Sequence, residues 1–150
     1  MRKDSIRSED AACTAPILLN LKVEDFTMSA TLHCIIIDCL NPSSLSSFYE
    51  RLLGWKPFPN SWFGLISPQG VKLEFQAVDN YCPPTWPSRI GQPGQMIHLD
   101  FYVAHSEHSV SLAQELSAVI APDQFYTEYQ CTTLFDPEGH PFCLLQAAEA

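Results

Sequence analysis

Positive charge is scarce in this chain: lysine and arginine together number 8, against 17 aspartates and glutamates, for a formal net charge of −9. A surface that grips a phosphate backbone needs compensating cations, so this balance argues against nucleic acid as a partner. No stretch approaches the ~20 consecutive apolar residues that span a bilayer, and the polar run from Met1 to Thr14 carries no signal-like apolar segment. The 6 cysteines (Cys13, Cys34, Cys39, Cys82, Cys131, Cys143) show no paired short spacing. That excludes a zinc knuckle or dithiol redox motif and fits free thiols in a reducing, cytoplasmic setting. What is plentiful is apolar surface. With 46% hydrophobic and 17% charged residues, the 150-residue chain is expected to fold around a core without disulfide staples.

The chain also repeats itself. Ser67-Pro68-Gln69-Gly70 is followed by Glu74, and Asp136-Pro137-Glu138-Gly139 is followed by Cys143 at the same distance from its glycine. His33 and His98, each near the start of a strand-like run, are separated by nearly the same interval as the two glycines. Two similar units can close around a shared cavity.

Residues 1–30 read as an extension, either a mobile tail or, through Leu19, Leu21 and Val23, an edge strand; a functional start at Met28 is the alternative. Residues 31–78 form the first expected module. Thr31 to Asp38 is a buried strand with His33, Ile35 and Ile37 on one face. Asn41 caps a helix, Pro42 opens it and Gly54 ends it, while Leu45, Phe48, Tyr49, Leu52 and Leu53 mark its inward stripe. Strands near 55–58, 62–67 and 71–78 follow. The proline-dense stretch 79–94, which includes Trp86, is the linker.

The second module, 95–147, has the same order. A strand over 95–103 turns Ile97, Leu99, Phe101 and Val103 one way and His98, Asp100 and Tyr102 the other. Ser106 is expected to cap a helix carrying Val110, Ala113, Leu116 and Ile120 inward until Pro122 stops it. Strands near 124–129, 132–135 and 142–147 complete the unit. The expected architecture is α+β, two βαβββ modules around one cavity.

If both sheets turn their helix-free faces to one cavity, His33, Glu74, His98 and Cys143 point into it. Two imidazoles, a carboxylate and a thiol suit Zn, Fe, Ni or Mn, and such an ion would polarise neighbouring substrate oxygens, with Glu74 as base or ligand. The plainer alternative makes His33 a hydrogen-bonded core histidine and Cys143 a small buried hydrophobe. Asp100, Tyr102 and Gln76 are candidate ligand-binding groups, although His98 with Asp100 equally reads as a structural hydrogen bond. Trp86 is either a pocket wall or a linker anchor. Lys72 reads as a solvated rim residue, and the Asp136 to Gly139 stretch as turn chemistry with no active role. His105, His108 and His140 carry no spacing that suggests a site.

Taken together, Phe48-Tyr49 with Leu53-Gly54-Trp55, the Pro83-Pro84-Thr85-Trp86-Pro87 linker, His98-Leu99-Asp100-Phe101 and Asp136-Pro137-Glu138-Gly139-His140-Pro141-Phe142-Cys143 resemble the vicinal oxygen chelate superfamily, which includes glyoxalase I, bleomycin-resistance proteins and extradiol dioxygenases. The resemblance is strongest to its bacterial glyoxalase-like group and covers Thr31 to Ala147. It implies metal ligands on the first and last strands of each module, placing His33, Glu74 and His98 in three of the positions, with Cys143 where glutamate is expected. It also implies that the two βαβββ modules form a curved mixed sheet around a cup-shaped cavity, a small organic ligand, a homodimer, and either metal-dependent lyase, isomerase or dioxygenase chemistry on vicinal oxygens or metal-free ligand sequestration.

Overall fold

The computed structural model describes residues 30–125 and 130–147, so the edge strand expected around Leu21 and the Met28 start lie outside the described residues. The elements run β1 (Ile35–Cys39), α1 (Pro42–Leu53), β2 (Lys56–Pro57), β3 (Leu65–Ile66), β4 (Lys72–Ala77), β5 (Leu99–Val103), α2 (Ser106–Glu115), β6 (Val119–Ile120), β7 (Cys131–Phe135) and β8 (Pro141–Gln146). They build two four-stranded sheets in the orders β1-β4-β3-β2 and β5-β8-β7-β6. In each, the first and last strands pair in parallel and the remaining ladders are antiparallel. Two βαβββ modules are therefore present. The sheets are mixed and do not close into a barrel.

Helix α1 forms for the reasons its sequence supplies. The Asn41 side chain accepts a hydrogen bond from the Ser44 amide at 3.1 Å, and proline opens the first turn. Gly54 leaves in the left-handed conformation at φ 67° and donates its N–H to the Glu50 carbonyl at 2.9 Å. The stripe Leu45, Phe48 and Tyr49 is fully buried and packs with Leu73 and Phe75 of β4 and with Phe142 and Leu144 of β8 in one core. Tyr49 stacks on Phe75 at 5.4 Å between ring centroids and meets Phe142 at 6.0 Å. One helix thus packs on both sheets.

The second module departs from the expectation at its helix. The residue before α2 is His105, which makes no side-chain cap, and Ser106 is already helical, its amide held by Gln146 Oε1 at 2.8 Å. An acceptor from β8 replaces the local serine. The helix ends at Glu115, before Pro122, because Ser117 turns to φ 82°. Ile120 is consequently a β6 residue, paired with Leu134 and partly exposed, rather than the last rung of a helical stripe. That two-residue strand stands in place of the one expected near 124–129, of which residues 126–129 are outside the described set. Strands β1 and β5 are also shorter than expected, so His33 and His98 precede them.

The modules are joined by a buried carboxylate. Asp136, 3% exposed, follows β7 and accepts at Oδ1 from the amides of Glu138 (2.9 Å) and His140 (3.0 Å). Its Oδ2 accepts from the Tyr49 hydroxyl of α1 at 3.0 Å and from His140 Nδ1 at 2.8 Å. On the other side of the ring, His140 Nε2 lies 2.7 Å from the Asp38 carbonyl of β1 and 2.9 Å from the Tyr81 hydroxyl. Tyr81 donates to the Glu138 carbonyl at 3.1 Å, which leaves its oxygen to accept from the ring. Both imidazole nitrogens face acceptors, so both carry protons and His140 is an imidazolium. Burial alone would lower its pKa; the Asp136 carboxylate, the Asp38 carbonyl and Glu138 outweigh burial and hold it above the usual 6.5. The Glu138 carboxylate completes the junction by accepting from the amides of Leu40 (3.1 Å) and Asn41 (3.0 Å) ahead of α1.

Replacing Asp136 with alanine leaves the Tyr49 hydroxyl, two turn amides and a cation without a partner. A loss of roughly 3–5 kcal/mol is expected, read as a fall in the urea midpoint. Because the His140 pKa is raised on folding, its contribution is complete below the unfolded value and fades as pH climbs through the folded one. The destabilisation caused by His140→Ala should therefore be larger at about pH 6 than at about pH 9 by thermal melting; an equal effect at both would show that the ring is neutral in the fold.

Candidate functional site

The helix-free face of the second sheet carries the titratable groups. Asp100 in β5, Cys143 in β8 and Thr133 in β7 stand in register across three strands. His98, just before β5, turns to the same side, and its Nε2 lies 3.1 Å from Asp100 Oδ1. Among the described residues, His98, Asp100 and Cys143 are the one group of three or more potential metal-ligating side chains, with donor atoms all within 4.8 Å of one another. Their environments differ. The side chains of His98 and Asp100 are 33% and 54% exposed, whereas Cys143 is buried in the sheet against Thr133, whose Oγ1 is 3.4 Å from Sγ. Burial pushes the Cys143 thiol up to about 12, a rise the Thr133 contact only partly offsets.

Imidazole nitrogen, carboxylate oxygen and sulfur together suit a borderline divalent cation. Donors on one such ion sit roughly 3–4 Å apart, so the three fit an ion with modest side-chain adjustment. When bound, an ion here would act as a Lewis acid toward a substrate oxygen.

The other expected residues lie elsewhere. His33 is exposed ahead of β1 and borders a shallow hollow with Cys34, Gln69 and Lys72. Glu74 accepts a hydrogen bond from Ser61 Oγ at 3.1 Å, and its neighbour across the β1 ladder is Ile36. That glutamate is outside the donor group found among the described residues. Gln76 donates to Asp38 Oδ1 at 3.2 Å. Tyr102 is 78% exposed. Trp86 lies 5.7 Å from both the His98 and Phe125 rings and donates its indole N–H to the Asp123 carbonyl at 3.2 Å, which anchors the linker beside His98. Lys72 sits over the Phe58 ring at 5.2 Å.

A cleft of about 350 Å³ opens between the β1 and β5 regions. Its walls are mainly apolar, from Ile36, Ile37, Met96, Ile97 and Pro141, and His98 and His140 also border it. His140 has no spare hydrogen-bonding capacity, as its two nitrogens are taken up at the junction. His98 is common to the cleft and the donor group.

A family model described as "Glyoxalase-like domain" matches residues 34–145. The chain belongs to the glyoxalase-like domain family. No curated protein sequence matches it. Among solved structures, a glyoxalase/bleomycin resistance protein/dioxygenase family enzyme from Burkholderia phytofirmans is similar at 18% identity and a TM-score of 0.59, covering 79% of this chain and all (100%) of that one. The glyoxalase family protein from Enterococcus faecalis shares 25% identity at a TM-score of 0.56 over 77% of this chain and 96% of its own. The fosfomycin resistance protein FosX from Listeria monocytogenes shares 13% at 0.58, over 82% and 95% respectively. This glyoxalase-like chain shares their fold.

Sequence reasoning placed Asp100 beside His98, as a ligand-binding group or a hydrogen-bond partner, but not among the metal ligands, and it missed the Asp136 and His140 junction. The signal for the latter was present: an aspartate four residues before a histidine across a proline-glycine turn. Thiol chemistry checks the site directly. With a pKa near 12, Cys143 should resist iodoacetamide at neutral pH in the folded protein, while exposed Cys82 is alkylated; peptide mass mapping with and without urea distinguishes them.

Proposed function

We propose that this glyoxalase-like protein binds a small organic ligand in the cleft between β1 and β5 and acts on it with the aid of a divalent metal held by His98, Asp100 and Cys143. The observation that carries the reading is that His98 belongs both to the cleft wall and to the donor group. The apolar walls would hold the carbon skeleton, and vicinal oxygens would be presented to the cluster. Lyase, isomerase and dioxygenase chemistry all begin with such polarised oxygens. Zn, Fe, Ni and Mn are the candidate ions, with sulfur favouring the softer of them. Glu74 and His33 are kept in the proposal as groups that join only if a ligand draws the first module toward the cluster. Trp86 and Tyr102 would flank the ligand and Gln76 would border it. A homodimer and a cytoplasmic setting belong to the same proposal; free thiols at Cys39, Cys82, Cys131 and Cys143 agree with the latter. Among the described residues no helix is long and apolar enough to cross a membrane.

A specific feature favours a second reading, a metal-free binding protein. His98 and Asp100 already pair with each other at 3.1 Å, and the protonated Cys143 thiol lies 3.4 Å from Thr133 Oγ1, all without an ion. Metal analysis separates the two. After incubation with each ion and removal of excess, the metal-dependent reading expects close to one equivalent, reduced at least tenfold by His98→Ala; uptake below about a tenth of an equivalent for every ion would leave the metal-free reading.

A further inference from the structure

The cleft between β1 and β5 is apolar but not electrically neutral. Ile36, Met96 and Ile97 are exposed along it, and a contiguous apolar surface left open to water marks a binding groove. Five polar side chains interrupt that surface: Asp38, Tyr49, Tyr81, His98 and His140. Four of them are engaged within the protein. The Tyr49 hydroxyl donates to Asp136, and the Tyr81 hydroxyl donates to the Glu138 carbonyl and meets His140 Nε2. His140 Nδ1 is held by Asp136. The two nitrogens of His98 lie 3.1 Å from Asp100 Oδ1 and 2.8 Å from the Gln95 side-chain amide. Asp38 differs, because its Oδ1 accepts from Gln76 while its Oδ2 has no hydrogen-bond partner among the described residues.

The charge around the cleft has one sign. Among the described residues no lysine or arginine lines it. The His140 imidazolium is balanced by Asp136 at 2.8 Å, so the net charge of that wall comes from the Asp38 and Glu138 carboxylates. Glu138 is taken up by the amides of Leu40 and Asn41. Asp38 is therefore the charge that a guest in the cleft meets.

We propose that Asp38 determines the charge of the ligand: the cleft takes an apolar molecule that carries a basic group, accepts its uncharged counterpart less tightly, and turns away the anionic one. This rests on the cleft being the ligand site, as proposed above, and concerns the part of the ligand that meets Asp38, whether or not an ion is held at the donor cluster. The apolar walls supply affinity without regard to charge, and the carboxylate supplies the discrimination. At about 4 Å in water-like surroundings, an opposite charge tightens binding about fivefold and a like charge weakens it by about as much. Because Asp38 is exposed, salt screens this preference.

The test uses the full chain with a chelator present and three probes on one apolar ring system: naphthylmethylamine, naphthylmethanol and naphthoate. Titrations followed by the ¹H–¹⁵N shifts of the Ile36, Ile37 and Ile97 amides report both the site and the affinity. At low salt the amine should bind about fivefold more tightly than the alcohol, and the naphthoate about fivefold more weakly. In Asp38→Asn, which keeps an acceptor for Gln76, the three affinities should converge. They should also converge in the natural chain as salt rises to about 0.5 M, where charges more than a few ångströms apart are screened; this arm needs no variant to fold. Naphthoate binding as tightly as the alcohol at low salt, or a ranking that Asp38→Asn and salt both leave unaltered, would overturn the role of Asp38 and leave the cleft as the ligand site. If all three probes leave the β1 and β5 amides unshifted, the cleft reading falls and this inference with it.

Discussion

The relation between the two modules turns on the Asp136 carboxylate. It is withdrawn from solvent and accepts from two backbone amides, a phenol and an imidazolium. Isolated, such a charge would be intolerable in a core; surrounded by donors, it dictates where each donor must be. Tyr49 is drawn to the end of β7 while its ring remains stacked on Phe75 of β4. The same constraint aims His140 at the Asp38 carbonyl. The position of β1 relative to β8, and with it the cleft between β1 and β5, follows from these directions.

Chemistry is distributed unequally over this near-repeat. In the second module the positions facing one another across the parallel ladder are Asp100 and Cys143, and in the first they are Ile36 and Glu74. An isoleucine where its counterpart is an aspartate leaves the first module with a lone carboxylate, which a serine satisfies. The duplicated scaffold therefore offers two open faces but concentrates its ligating atoms on one. The aromatic Trp86 stands beside that face, carried there by the linker.

Local chemistry made much of the fold legible. The Asn41, Pro42 and Gly54 signals of α1 and the alternation in β4 need only neighbouring residues to be read, and the structure follows them. The second helix was harder because its first turn is held by Gln146, forty residues away, and because Leu116 and Ile120 keep helical spacing across a chain reversal at Ser117. For the site, His98 and Cys143 were accessible from strand alternation. Alternation also put Asp100 on the His98 face, but its pairing with Cys143 needed the register of β5 against β8, and His140 needed the contact between modules, neither of which periodicity encodes.

At one border each sheet ends in a strand of only two residues, and these outer strands are not alike. In β2 a lysine precedes a proline that has no amide hydrogen to offer, a combination that discourages pairing with another chain. In β6 the residues are Val119 and Ile120, both β-branched, 61% and 41% exposed, and with no charge to repel a neighbour. Among the described residues of that strand, shortness is what limits pairing with another chain. A lysine at Val119 would give this border the kind of charge that Lys56 supplies to β2.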